Sequence, residues 1–341
     1  MSGCSERCQL LAALAVVFIH ADAAAVNGAL PGGYGIKNAS MGGAAIALPL
    51  DAVAAANNPA GMAFVPASTT FGLQVFRGNS SANYAMPGNH LENSQTELAP
   101  EGGVNWHMSP QITLGLSIAG SGAGSDYGRP ALPVPGAGTA QSTLRVAEII
   151  PAVAWKPRPD LALGVGLTLA RQQFDADGVV VPAPVPGGLM PLSGHGRQTA
   201  MGAGVRLGAL WKATPDWSIG INVKSRTHMG RLKGYDRDLL AYSDGRLDVP
   251  AQYGVGVAWQ ATTRLLLAAD WLRIQWGDIK AMQDPGGFAW RNQSVLRFGV
   301  AWTLNDRWTL RAGYSRNRGQ IDSSRAAQNL LVPSIHEEAY T

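Results

Sequence analysis

Charge is scarce in this chain. Asp, Glu, Lys and Arg make up 15% of its 341 residues, where a soluble domain typically carries about 25%. An ordinary soluble helical enzyme does not look like this. Lys and Arg are scattered, and the formal net charge is only +4, so there is no basic footprint for nucleic acid. Cysteine is limited to Cys4 and Cys8. Long apolar runs are missing too: after residue 25 no eighteen consecutive residues are apolar, which excludes a helical membrane protein. No nucleotide-binding motif is present. The histidines fall in no nucleophile motif, and no cofactor, metal site or catalytic residue is expected.

What remains is abundant in glycine, with 42 residues, and 46% hydrophobic. That much apolar material rules out a disordered chain. The first residues read as an export signal, residues 1–25. Arg7 supplies the positive end, residues 10–19 form a short apolar run, and Ala21, Ala23 and Ala25 offer small cleavage positions. The run is too short to span a bilayer as a helix. Both cysteines lie upstream of the expected cut, so the mature chain is expected to carry no thiol and no disulfide.

Beyond residue 68 the dominant signal is strict alternation. In residues 161–169, Leu161, Leu163, Val165, Leu167 and Leu169 share one face, and Ala162, Gly164, Gly166 and Thr168 the other. The pattern recurs around Val205, Ile221, Val255, Phe298 and Leu310. A soluble sandwich would bury the apolar face; a transmembrane barrel would turn it to lipid. Tryptophans at strand ends (Trp155, Trp211, Trp217, Trp259, Trp302, Trp308) and a Gly- and Ala-rich opposite face favour the barrel. So does loop parity. Short turns near 109–111, 157–160, 214–216, 261–263 and 305–306 alternate with long connections near 85–100, 120–142, 175–196, 229–248, 277–289 and 317–338. Eleven strands are expected, near 69–84, 101–109, 111–120, 143–156, 161–174, 197–212, 217–228, 249–260, 264–276, 290–304 and 308–316. Closed bacterial barrels have even counts, so the chain is expected to stop as a twelfth strand begins.

Residues 32–65 are different in kind. They are rich in Gly and Ala, carry only Lys37 and Asp51 as charges, and end in Asn57-Asn58-Pro59-Ala60-Gly61. They read as a compact plug, with a helical turn over 51–56. This Asn58-Pro59-Ala60, preceded by Ser40-Met41-Gly42-Gly43-Ala44 and followed by strands such as Trp308-Thr309-Leu310-Arg311-Ala312-Gly313-Tyr314, resembles the outer-membrane long-chain fatty acid and aromatic hydrocarbon transporter family (FadL/TodX-like). The resemblance runs from about residue 32 to the end.

The fold class implied is all-β: a transmembrane antiparallel β-barrel of fourteen strands in the family, eleven of them here, with the C-terminal strands missing and an N-terminal hatch in the lumen. The domains are then residues 1–25 as signal peptide, 26–67 as hatch, and 68–341 as a C-terminally truncated barrel. The implied function is passive transport of hydrophobic compounds across the outer membrane of a Gram-negative cell. Ligand would be captured by extracellular loops and passed through a plugged barrel to a lateral opening at a kinked third strand. A general diffusion porin and an outer-membrane lipid-modifying enzyme are the alternatives. The plug argues against the first, and the scattered histidines against the second.

Candidate site residues follow for each step. The hatch residues Asn58, Pro59, Ala60 and Gly61 would bind or gate. Gly115 and Gly120 are candidates for the strand kink, because Gly permits a bend. Val180, Val181, Leu189, Met190, Leu239 and Leu240 put apolar side chains on loops, where they would either form a capture groove or pack on one another. Arg206, Arg226, Arg297 and Arg311 could hold a ligand carboxylate bidentately, or pair with Glu148, Asp270 or hatch carbonyls. Expected partners are a fatty acid or aromatic hydrocarbon, outer-membrane lipid and lipopolysaccharide, with the protein a monomer.

Overall fold

A computed structural model describes residues 26–182, 188–192, 194–325, 329–332 and 337–341. The expected signal peptide, Ala183 to Val185 of the third connection, and His336 lie outside these residues. Eleven long strands form one antiparallel sheet. They are β1 (Ser68–Asn83), β2 (His90–His107), β3 (Ile112–Asp126), β4 (Gln141–Arg158), β5 (Leu161–Asp177), β6 (Gln198–Lys212), β7 (Trp217–Lys224), β8 (Gln252–Gln260), β9 (Leu265–Ile274), β10 (Gln293–Asn305) and β11 (Trp308–Asn317). A short β12 (Glu338–Tyr340) pairs with β11, and each strand from β1 to β12 pairs with its neighbour in sequence. His228–Met229 adds a short pairing on β6. Among the described residues β1 and β12 do not pair with each other. No helix among them is long and apolar enough to cross a membrane.

The alternation read from the sequence sets the faces. Leu163, Val165, Leu167 and Leu169 are 41–50% exposed, while Ala162, Thr168 and Ala170 between and beyond them are buried. The same outward belt continues through Ile221, Val255, Phe298 and Leu310. Trp217 and Trp259 stack outward at one end of it, with ring centroids 5.2 Å apart.

Two strands depart from expectation. β2 begins at His90 rather than near residue 101, and β3 runs to Asp126 rather than 120. The expected connections at 85–100 and 120–142 therefore shrink to residues 84–89 and 127–140. The cause is compositional. The added stretches, rich in polar residues (90–97) or in Gly and Ser (120–125), carry no apolar alternation, because their outward positions lie beyond the greasy belt.

The inner face is covered by the N-terminal segment. It holds two very short helices, α1 (Ile36–Ala39) and α2 (Ala54–Asn57), then a 3-10 helix at Pro59–Phe64. The helical turn expected over 51–56 starts three residues later, after Asp51 accepts the Val53 amide at 3.0 Å. Met41, Val53, Ala55, Ala60 and Met62 are buried against small wall residues such as Ala154, Ala162 and Ala268. The Gly35 amide donates to Glu101 on β2 at 2.8 Å, and the Gly42 amide to Thr341, just past β12, at 2.9 Å. Laid flat, twelve strands at about 4.8 Å spacing would extend roughly 50 Å. A compact segment reaches both ends of such a ladder only because the sheet curves around it.

Candidate functional site

Four anchors seat the N-terminal segment. Asp270 on β9 accepts the amides of Ala45 at 2.7 Å and Ile46 at 3.0 Å. Asn58 caps the 3-10 helix by accepting the Ala60 amide at 3.1 Å. Its Nδ2 donates to Ile46 O at 2.7 Å and to Ala209 O on β6 at 3.2 Å. Arg206, buried on β6, donates to Ala56 O and to Glu148 on β4. Glu148 also takes Lys224 Nζ at 2.7 Å. Arg297 on β10 donates to Gly43 O at 3.2 Å.

Close approach explains the glycine-rich wall. A Cβ at Gly208 would stand 1.9 Å from Asn58 Oδ1, and one at Gly313 1.9 Å from the Gly42 nitrogen. Neither position can hold a side chain while the segment is seated.

The four candidate arginines are occupied differently. Arg206 and Arg297 serve the segment. They border a void of only about 30 Å³ beside Tyr34 and Asn222, enough for water and not for an acyl chain. Arg226 donates to Asp278 O at 2.7 Å. Arg311 sits on β11 opposite Ala301, half-buried. The hatch residues Asn58, Pro59, Ala60 and Gly61 are all buried.

Loop residues divide as well. Val180–Pro182 pairs with Leu189–Pro191 in a small hairpin, which brings Val181 opposite Met190; the side chains of Val181 and Leu189 lie outside the described atoms. Met190 is 41% exposed. Leu240 is buried with Phe174, Tyr235 and Trp276, and Leu239 packs against that cluster.

An opening lies between β2 and β3. Their ladder runs only from His107↔Thr113 to Gly102↔Ile118. Beyond it β2 stays paired with β1 to His90, and β3 with β4 to Asp126 without a register shift. The two strands meet again where the Asp126 amide donates to Asn93 Oδ1 at 2.8 Å. The parting covers about eight residues, roughly 25 Å at about 3.3 Å per residue. Pro100, which cannot donate to a ladder, stands two residues past the last pair. Gly120 lies at the parting, opposite Ala147 of β4. Gly115 lies below it in regular pairing, where a Cβ would strike Met62 Sδ.

A cavity of about 400 Å³ fills the parting. Its lining includes Ala119 and Val146 from the buried face, and Ile118, Arg145 and Arg171 from the exposed face. Gly28 and Pro31 from the N-terminal segment close its inner end. Residues of both faces line one space, so the space passes through the sheet. Arg145 bridges it: Nη2 and Nε donate to the two carboxylate oxygens of Glu97 on β2 at 2.9 and 3.1 Å. Sequence reading missed Glu97, Arg145, Arg77 and Arg171. The available signal was Gly120-Ser121-Gly122-Ala123-Gly124, three glycines in a row on one strand face.

Comparison with known proteins agrees with the all-β, mostly antiparallel fold. A family model described as "Outer membrane protein transport protein (OMPP1/FadL/TodX)" matches residues 13–335. The Pseudomonas putida toluene transporter TodX superposes with a TM-score of 0.69 at 19% identity, covering 90% of this chain and 86% of that one. A TodX deltaS2S3 mutant, described as a monoaromatic hydrocarbon channel, gives 0.72 at 20% identity, with 90% and 87% covered. A Pseudomonas aeruginosa FadL homologue gives 0.63 at 18% identity, with 89% and 83% covered. No curated protein sequence matches this chain.

Proposed function

This chain belongs to the OMPP1/FadL/TodX family of outer-membrane β-barrel transport proteins, and from that premise we propose that it passes hydrophobic small molecules from the external loops to the β2–β3 opening without an energy source. The observation that carries the reading is the cavity of about 400 Å³ lined from both faces of the sheet.

Residues 1–25 act as the export signal, 26–67 as a hatch in the lumen, and 68–341 as the wall, which works as a monomer among outer-membrane lipid and lipopolysaccharide. Val180, Met190 and Leu239 receive ligand on the loops. Asn58-Pro59-Ala60-Gly61 holds the lumen shut to polar solutes, because its side chains and backbone fill the space between β4, β5 and β6. Ligand moves downhill and is held by apolar burial, about 25 cal/mol per Å². It leaves sideways at Gly120, where no ladder bars the way.

The test is uptake of labelled long-chain fatty acid and labelled toluene by cells that lack their own such transporter. Expression of the full chain is expected to raise uptake of at least one of them. Gly61→Leu, whose side chain would meet Pro49, is expected to reduce uptake while the barrel still folds. Uptake equal to that of empty cells for both ligands overturns the proposal.

A further inference from the structure

We propose that Arg145 is the specificity-determining residue of the β2–β3 opening: it receives the carboxylate of an amphiphilic ligand in place of Glu97. This rests on the sideways route above and adds the chemistry of what the opening selects.

The pairing has the form of an occupied receptor site. A guanidinium holds a carboxylate through two parallel N–H···O bonds, the geometry that suits it best. Glu97 is thus a stand-in for a ligand headgroup, built into the wall. Arg145 reaches it by crossing the exposed side of β3 at Gly122, its ladder partner. A Cβ there would lie 2.3 Å from Leu144 O, so no side chain blocks the crossing.

The ion pair is open to exchange. Arg145 is 51% and Glu97 33% exposed in their side chains, and pairs this exposed are held weakly. No ladder hydrogen bond joins β2 to β3 beside it. Charge balance then sets the preference. Arg77, Arg145 and Arg171 all line the cavity, and among the described residues Glu97 is the only carboxylate that does. Among the described residues Arg77 and Arg171 form no ion pair. The rest of the lining includes Phe76, Leu98, Ile118 and Val146. An excess of positive charge around an apolar space fits a molecule with one anionic end and a greasy tail. When a ligand carboxylate takes Arg145, Glu97 is released into a cavity that Arg77 and Arg171 also line, and the tie between Arg145 and Glu97 across the middle of the opening is undone. A neutral hydrocarbon cannot make this exchange.

The experiment measures binding of laurate and of 1-dodecanol, which share a tail length, to the intact protein in a nonionic detergent that supplies no lipid phosphate. Arg145→Gln is expected to weaken laurate about tenfold, the loss of one bidentate charged contact, and to leave 1-dodecanol within about twofold. Glu97→Gln, which frees Arg145, is expected to tighten laurate several-fold and not 1-dodecanol. Arg145→Lys is expected to fall between wild type and Arg145→Gln. Equal effects on both ligands, or none on either, overturn the proposal. An Arg145 effect on laurate that appears only when lipopolysaccharide is added assigns the arginine to lipid phosphate and overturns it too. A disulfide closing the opening reports separately on the route: if closure blocks uptake while Arg145→Gln treats the two ligands alike, only the specificity assignment fails.

Discussion

Asp270 Oδ2 accepts the Ala45 amide at 2.7 Å, tying the middle of the N-terminal segment to a strand more than two hundred residues away. The same oxygen takes Ile46 at 3.0 Å. Asp270→Ala leaves two amides without acceptors in a buried place, at about 1–3 kcal/mol each. The expected outcome is a barrel that still folds, as judged by its migration on unheated gels, with raised ion conductance in planar bilayers. Unchanged conductance means that this anchor does not hold the segment.

Gly208 and Gly78 make a matched pair. Ala at 208 forces its Cβ onto Asn58 Oδ1, and Ala at 78 meets nothing within 4 Å. Gly208→Ala is expected to speed hydrogen exchange across residues 56–61, and Gly78→Ala to leave it alone. Equal exchange in both variants contradicts close packing between the segment and β6.

Glu148 balances two buried cations, Arg206 and Lys224. Glu148→Gln keeps the shape and strands both charges, so unfolding in urea with lipid vesicles is expected to show a loss of about 3–5 kcal/mol. Adding Lys224→Met to the same variant is expected to recover part of it. A loss below about 1 kcal/mol contradicts the burial of this cluster.

The outward belt has a depth profile. Val255 pairs with Ile221 in mid-strand, and Trp259 with Trp217 near the turn. Val255→Arg is expected to cost about 2–4 kcal/mol, and Trp259→Arg about 0–1 kcal/mol from its charge, as lipid depth dictates. The same urea titration checks both. Equal costs contradict a lipid-facing belt.

How much of this the sequence disclosed depends on whether an element is patterned by lipid. From Leu161 to Leu169 every second residue is apolar, and β5 lies where that alternation places it. Residues 32–65 stood out because a segment packed inside a curved sheet must be small in side chain. The expected twelfth strand corresponds to Glu338–Tyr340. The upper halves of β2 and β3 were hidden. Above the belt, outward positions such as Glu92, Ser94 and Thr96 face no lipid, so nothing forces them to alternate. The opening itself is a failure of pairing between β2 and β3, and pairing leaves little trace in either strand alone. Arg145 was invisible for the same reason: its role exists only because Glu97 on β2 comes within reach across Gly122. Arg206 and Arg297 read from the sequence either as holders of a ligand carboxylate or as partners of Glu148, Asp270 or hatch carbonyls, because a guanidinium suits all of these acceptors; burying such a charge is costly without a partner. The structure shows Ala56, Glu148 and Gly43 meeting that cost.

A single closure tests the route. A Cβ at residue 120 would stand 3.7 Å from Ala99 Cβ, a separation that suits a disulfide. Ala99→Cys with Gly120→Cys would staple β2 to β3 across the opening, and uptake of labelled fatty acid and toluene is measured before and after reduction with dithiothreitol. The account predicts uptake near background in the oxidised protein and restored in the reduced one. Equal uptake in both states, with the disulfide shown to be formed, contradicts a sideways exit between β2 and β3.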